Sequence, residues 1–136
     1  MKLFLDTNLF VYLTLGSSDP GYESSIDGFY SKLVEENGLY TDVLVLDEFI
    51  HVLRRKYGVP YERSINLADE MILPVVKVLP LTFLDYLTAK EIIPRYNLKP
   101  SDALHVATIQ NNGLQAIVSE DEEFDRLPLK RLWLEG

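Results

Sequence analysis

The chain has 136 residues and no cysteine, and its 21 Asp and Glu against 13 Lys and Arg give a formal net charge of −8. This length suits one domain with a core of its own, and the missing cysteine excludes disulfides and thiolate metal sites. No apolar run reaches about 18 residues and no basic-then-apolar leader opens the chain, so we expect a cytoplasmic protein without a membrane span. A hydrophobic content of 47% favours a surface covered by a partner or a second copy.

The first half of the chain alternates short apolar runs with stretches of helical periodicity. An acidic residue follows the first run at once, and polar or glycine residues separate the later segments. The predicted elements are a strand over 2–6, a helix over 9–15, a loop over 16–21, a helix over 22–36, a strand over 39–41, and a helix that Asp42 caps and that ends at Tyr57 before Gly58.

The second half continues the same alternation. The predicted elements are a helix opened by Pro60, a strand over 75–79, a helix from Thr82 that Pro94 kinks or ends near Ile93, a helix from Pro100 to Gln110, and strands over 116–118 and 131–134. Strands that alternate with helices predict a mainly parallel sheet with helices on both faces. The predicted fold class is therefore α/β.

Four acidic residues occupy positions where a neutral residue would serve the fold equally well. Asp6 ends the first strand, Glu48 interrupts an apolar helix face, Asp102 lies in the first turn of a helix, and Asp121 follows a late strand. Each has an ordinary explanation, because Asp6 and Asp102 suit helix caps, Glu48 suits the edge of an apolar stripe, and residues 120–123 suit a solvated acidic loop.

Taken together, the four acids predict a shared site. Parallel topology gathers strand ends and the helix starts that follow them at one edge of the sheet. Converging carboxylates repel one another unless cations neutralise them, and Mg²⁺ or Mn²⁺ suits an oxygen-rich, cysteine-free site. Such a site is typical of phosphodiester hydrolysis, and bound cations would offset the negative net charge that otherwise argues against nucleic acid.

The four acids lie in four motifs, in this order: Leu5-Asp6-Thr7-Asn8, Leu46-Asp47-Glu48-Phe49, Pro100-Ser101-Asp102-Ala103-Leu104-His105, and Val118-Ser119-Glu120-Asp121-Glu122-Glu123-Phe124. Taken in order, these motifs resemble those of the PIN-domain family, in particular its VapC-type toxin ribonucleases. The resemblance covers essentially the whole chain and implies one nuclease domain over 1–136, with a Rossmann-like, three-layer fold and a central, mainly parallel sheet.

The resemblance implies a divalent-metal endoribonuclease, the toxin of a type II toxin–antitoxin pair, which forms a homodimer and binds an antitoxin. An alternative is a catalytically weak subunit that acts mainly by binding a protein partner. The implied metal ligands are Asp6, Glu48, Asp102 and Asp121, with Glu123 where many members carry another acid, Thr7 and Asn8 as a polar brace, and Ser119 as support.

One departure from the family concerns the fourth motif. Acids surround Asp121, whereas relatives usually carry a basic residue or two there, and the extra acids would alter metal affinity or weaken RNA binding near Asp121 and Glu123. A second ambiguity lies in the pair of acids on the third helix. Adjacent helix residues point about 100° apart, and Asp47 falls outside the apolar stripe, which favours Glu48.

Two basic residues are candidate RNA contacts, and the two histidines are weaker candidates for chemistry. Arg55 lies two turns after Glu48 on the same helix, where an arginine could bind a substrate phosphate, and Lys99 precedes Asp102. The helix dipole alone also favours a cation such as Arg55 near a helix C-terminus. A general-base role is conceivable for His51 or His105, but packing or bonding within the helix layer is the simpler expectation. A phosphorylated Asp6 is disfavoured, because phosphatases of the haloacid-dehalogenase type need a second Asp two residues later, where this chain has Asn8.

Overall fold

The computed structural model describes residues 1–134; Glu135 and Gly136, the end of the predicted domain, lie outside the described residues. Strands and helices alternate along the chain. The elements are β1 (Lys2–Leu5), α1 (Thr7–Leu15), α2 (Pro20–Glu36), β2 (Gly38–Asp42), α3 (Val43–Tyr57), α4 (Tyr61–Met71), β3 (Lys77–Leu79), α5 (Phe83–Tyr96), α6 (Pro100–Asn111), β4 (Ala116–Val118), a 3₁₀ helix (Glu122–Arg126) and β5 (Lys130–Leu132).

The five described strands form one sheet in the order β3-β2-β1-β4-β5, and every neighbouring pair is parallel. In the registers around the central strand, Phe4 lies opposite Tyr40 of β2 and Ile117 of β4. The order reverses beside β1, because the chain builds outward to β3 and then returns to add β4 and β5. A crevice forms at the carboxyl ends of strands at such a reversal. The predicted α/β class is confirmed, and the described sheet is wholly parallel.

The centre of the sheet is buried by helices on both faces. Leu3, Phe4 and Leu5 of β1 are fully buried, and so is every residue of β4. Continuous apolar strands of this kind are expected where both faces of a parallel sheet are covered. Among the described helices, none is long and apolar enough to cross a membrane.

The sequence predicts that Pro94 kinks or ends α5 near Ile93, and the helix does not end there. It continues to Tyr96 and closes on Asn97, which adopts a left-handed conformation (φ 52°) and donates its N–H to the carbonyl of Ile93. A proline costs the helix one backbone hydrogen bond, and here contacts in other parts of the helix offset that loss. Thr82 and Asp85 form a capping box at its start, and its inner face is buried.

Most other differences are at element boundaries. The helix α1 begins at Thr7 instead of residue 9, because Asp6 caps it. The strand β3 begins at Lys77, and β5 lies one residue earlier and is shorter than predicted. The acidic loop after β4 contains a short 3₁₀ helix that no sequence pattern indicated.

The C-terminus of α3 provides a test of local backbone energetics. Gly58 adopts φ 67°, and its N–H closes the helix on Arg54 and Leu53 carbonyls. We expect Gly58→Ala to lower the free energy of unfolding by about 1 kcal/mol, because a Cβ disfavours this conformation. The matched variant Gly28→Ala, at an open position inside α2, should raise it by about 0.5–1 kcal/mol. Urea denaturation of both variants measures the difference, and equal effects would contradict this account of the helix end.

Candidate active site

An acidic cleft of about 190 Å³ lies at the carboxyl ends of the central strands. It brings together the four predicted acids, which come from four separate segments of the chain, and Lys99 lies at its wall. Arg55 is exposed on α3 and does not line it, and Ser119 is buried beneath it. The lining residues are Asp6, Thr7, Asn8, Glu48, Val52, Lys99, Ser101, Asp102 and Asp121.

Asp6 is the most buried acid of the cleft, with 8% of its surface exposed. Its Oδ1 accepts the N–H of Thr7 at 2.9 Å, which also caps α1, and its Oδ2 accepts the hydroxyl of Ser119 at 2.6 Å. The Ser119 oxygen in turn accepts the N–H of Asp121 at 3.1 Å. Both carboxylate oxygens of Asp6 are therefore held by the chain, and Ser119 connects the first predicted acid to the fourth.

Glu48 lies in α3 with its carboxylate turned into the cleft, whereas its neighbour Asp47 is exposed. Its Oε1 accepts the hydroxyl of Thr7 at 3.4 Å and lies 2.5 Å from Nε2 of His105. The side chain of Thr7 thus contacts Glu48, while its backbone supports Asp6. The exposed Asn8 lines the cleft beside them.

A buried bridge between α3 and α6 was not predicted from the sequence. His105 is fully buried, with Nδ1 at 2.7 Å from Oδ2 of Asp42 and Nε2 against Glu48. Asp42 is also fully buried and accepts the N–H of Val45 with its other oxygen, which caps α3 as expected. The available signal was the position of His105 within an otherwise apolar stretch of α6, one turn after Asp102.

The far side of the cleft holds a second group of acids. Carboxylate oxygens of Asp102, Asp121 and Glu123 lie within 4.8 Å of one another. Asp121 caps the 3₁₀ helix by accepting the N–H of Glu123 at 2.9 Å. All three side chains are half-buried. Glu123 therefore lies beside the cleft acids, at the position where the resemblance implies a further acid.

The crowding of carboxylates changes their protonation. Burial raises the pKa of Asp6 above its usual value. Burial also raises the pKa of Asp102 to about 6, with the charges of Asp6 and Asp121 adding to the effect. Burial alone would lower the pKa of His105, but its bonds to Asp42 and Glu48 outweigh this and raise the pKa to about 10. The raised pKa favours a buried imidazolium in direct contact with Asp42 and Glu48.

The donor set of the cleft fits a hard divalent cation. Oxygens from Asp6 and Glu48 approach one another on one side, and those of Asp102, Asp121 and Glu123 do so on the other. Such cations prefer carboxylate oxygens, and their charge would offset the burial and the repulsion that raise the pKa values of Asp6 and Asp102.

The described residues form an α/β fold with a parallel sheet and an acidic cleft where the strand order reverses. Comparisons with known proteins identify the family within this class. The sequence model of the family described as PIN domain matches residues 3–130. The chain therefore belongs to the PIN-domain family.

Among curated proteins, the chain is similar to VapC ribonucleases. It is 32% identical over 133 residues to ribonuclease VapC13 of Mycobacterium tuberculosis, a match that covers 96% of this chain and 98% of the relative. The VapC ribonuclease Mb1869c of Mycobacterium bovis matches with the same identity and coverage.

Solved structures show the same fold at lower identity. Mycobacterium tuberculosis VapC20, described as a sarcin-ricin loop cleaving toxin, superposes with a TM-score of 0.74 at 21% identity, covering 93% of this chain and 95% of that one. A chain of Rickettsia felis VapBC2, bound to a DNA fragment from its promoter, gives a TM-score of 0.74 at 17% identity, covering 99% and 100%.

The raised pKa of Asp102 has a consequence for stability without metal. A carboxyl with a folded pKa of about 6, above its unfolded value, destabilises the fold as pH rises from about 4 to 6. We expect Asp102→Asn to raise the free energy of unfolding of the metal-free protein by about 1 kcal/mol at pH 7.5, after allowance for its partial exposure.

The gain should shrink as pH falls towards 4, and Asp47→Asn, at the exposed acid of α3, should change stability little at any pH. Thermal or urea unfolding in a chelating buffer at several pH values measures both. A pH-independent effect of Asp102→Asn would contradict the raised pKa of this carboxyl.

Proposed function

We propose that the protein is a divalent-metal-dependent endoribonuclease, with Mg²⁺ or Mn²⁺ as the metal. The observation that carries the proposal is the convergence of Asp6, Glu48, Asp102 and Asp121 on one cleft, from four separate segments, in a chain 32% identical to VapC ribonucleases. Residues 1–136 would form one nuclease domain acting in the cytoplasm.

Each acid has a role that follows from its surroundings. Asp6, with both oxygens fixed by the chain, would be the most rigid ligand, and Glu48 and Asp102 would complete the inner wall. Asp121, and Glu123 beside it, would hold metal or metal-bound water on the outer side. Bound metal would supply an activated water and stabilise the leaving oxygen of the phosphodiester.

The polar neighbours would maintain this arrangement. Ser119 fixes Asp6 from below, and Thr7 connects Asp6 with Glu48. Asn8 lies at the rim, where it is free to contact metal-bound water or RNA. Lys99 lines the cleft and is the better candidate for a phosphate contact. Arg55, exposed on α3 outside the cleft, would contact only RNA that extends beyond the scissile bond.

We further propose that the protein is the toxin of a type II toxin–antitoxin pair and that its partner is an antitoxin protein. Several structural neighbours come from VapBC complexes, including one from Salmonella typhimurium solved with DNA, which supports a partner of this kind. The alternative is a catalytically weak subunit that acts mainly by binding. RNA cleavage by the purified chain without a partner separates the two.

The homodimer predicted from the family would use the apolar surface of α5. This surface carries large exposed side chains, and two of its aromatic rings stack with centroids 5.8 Å apart. A second copy would remove this surface from water. The residues are Phe83, Leu84, Tyr86 and Leu87, which are 39% to 72% exposed.

The nuclease proposal predicts the effect of removing one metal ligand. Asp6→Asn should lower the rate of RNA cleavage by at least about 100-fold, because the substitution keeps the shape of the side chain but removes its charge. A chelator should abolish cleavage by the parent protein, and added Mn²⁺ or Mg²⁺ should restore it. Asp47→Asn is the matched control and should cleave at the parent rate. An Asp6→Asn protein that folds and cleaves as fast as the parent would exclude the proposal.

The dimer proposal predicts the effect of a charge on the α5 surface. Leu84→Glu should shift the protein from dimer to monomer in sedimentation velocity, because a carboxylate would be buried without a partner at the interface. Val34→Glu places the same charge on an exposed apolar residue of α2 and should leave the dimer intact. A parent protein that sediments as a monomer would rule out this role for α5.

A further inference from the structure

The buried bridge between α3 and α6 is not used by the proposed chemistry, and its geometry gives it a task. His105 is fully buried, and both of its ring nitrogens contact carboxylates. A histidine engaged at both nitrogens is unable to coordinate a metal without breaking one of these contacts. Although Nε2 lies close to oxygens of Asp6 and Glu48, His105 is therefore better suited to positioning a ligand than to being one.

The two oxygens of Glu48 are in different environments. Oε1 contacts Nε2 of His105 at 2.5 Å and accepts the hydroxyl of Thr7 at 3.4 Å. Within residues 1–134 no protein group bonds to Oε2, and the side chain keeps 29% of its surface exposed at the cleft. One oxygen is thus occupied by the protein, and the other is available to a ligand.

Asp42 fixes the histidine from behind. Its Oδ2 contacts Nδ1 of His105, while its Oδ1 caps α3, the helix that carries Glu48. The start of α3 and a buried residue of α6 are therefore held by the same carboxylate. Any rotation of the imidazole would have to break this contact inside the core, where no water replaces it.

We propose that His105, held by Asp42, is a positioning residue that makes Glu48 a single-oxygen metal ligand through Oε2. This inference rests on the proposed metal-dependent nuclease function. Partners of this kind orient ligating side chains in metal sites, and their loss typically lowers metal affinity or activity about 10–100-fold.

The test compares two substitutions of the histidine. His105→Gln places an amide N–H near the position of Nε2 and keeps a donor for Glu48, whereas the shorter His105→Asn reaches Asp42 but not Glu48. We expect His105→Asn to weaken Mn²⁺ binding, measured by calorimetric titration, by about 10–100-fold, and His105→Gln to recover most of that loss. In RNA cleavage at fixed Mn²⁺, kcat should fall with little change in KM, and excess Mn²⁺ should restore it.

A control separates positioning from general loss of stability. Asn111, at the other end of α6, donates to the buried Asp85 at 2.8 Å, so Asn111→Ala also removes a helix-bridging bond but lies far along the helix from the cleft. It should lower the free energy of unfolding without changing Mn²⁺ affinity. Should His105→Asn fail to unfold cooperatively, Asp42→Asn replaces it, since asparagine still caps α3 but no longer offers a carboxylate to the ring.

The outcomes distinguish this inference from the function on which it rests. A parent protein that neither binds Mn²⁺ nor cleaves RNA would overturn both. A parent that does both, together with folded histidine and Asp42 variants of unchanged Mn²⁺ affinity, would overturn the positioning role alone. Weakened Mn²⁺ binding in His105→Asn, recovery in His105→Gln and no change in Asn111→Ala would support it.

Discussion

Repulsion among carboxylates is the constraint on which the rest of this structure depends. Five acids lie in or beside one cleft, and burial makes each charge more costly than it would be in water. The fold meets this cost with fixed donors: the Thr7 amide and Ser119 hydroxyl on Asp6, and the His105 ring on Glu48. The donors come from the start of α1, from the residue after β4 and from α6, and the pairing of β1 with β4 brings the first two together. A folded chain without metal retains part of the repulsion.

Much of this arrangement followed from sequence patterns with simple physical causes. Alternating strands and helices gave the α/β class, and the position of Asp6 directly after a buried strand placed it at the carboxyl edge of the sheet. The choice of Glu48 over Asp47 followed from helix geometry, and the structure indeed turns Glu48 into the cleft and leaves Asp47 exposed. These predictions concern the periodicity of single segments and the alternation of strands with helices, both of which can be read along the sequence.

Features that depend on pairs of distant segments were not predictable in this way. Asp42 and His105 are 63 residues apart, and nothing in either segment indicates that they meet. Asp42 was predicted only as a helix cap, and it does cap α3, so its second contact had no separate signal. The helix α5 continues through Pro94 because its capping box and buried face outweigh one lost hydrogen bond. The different positions of Lys99 and Arg55 relative to the cleft likewise depend on tertiary packing.

The two edges of the sheet have a consequence for how this protein can be recognised. Both edge strands, β3 and β5, contain only three residues, so an incoming strand would gain few backbone hydrogen bonds at either border. Recognition through β-augmentation is therefore a poor route to tight association. Selective binding must come from side chains on the helices and around the cleft, surfaces whose shape and charge can diverge while the sheet stays the same. Related chains sharing one cell could thereby avoid each other's partners.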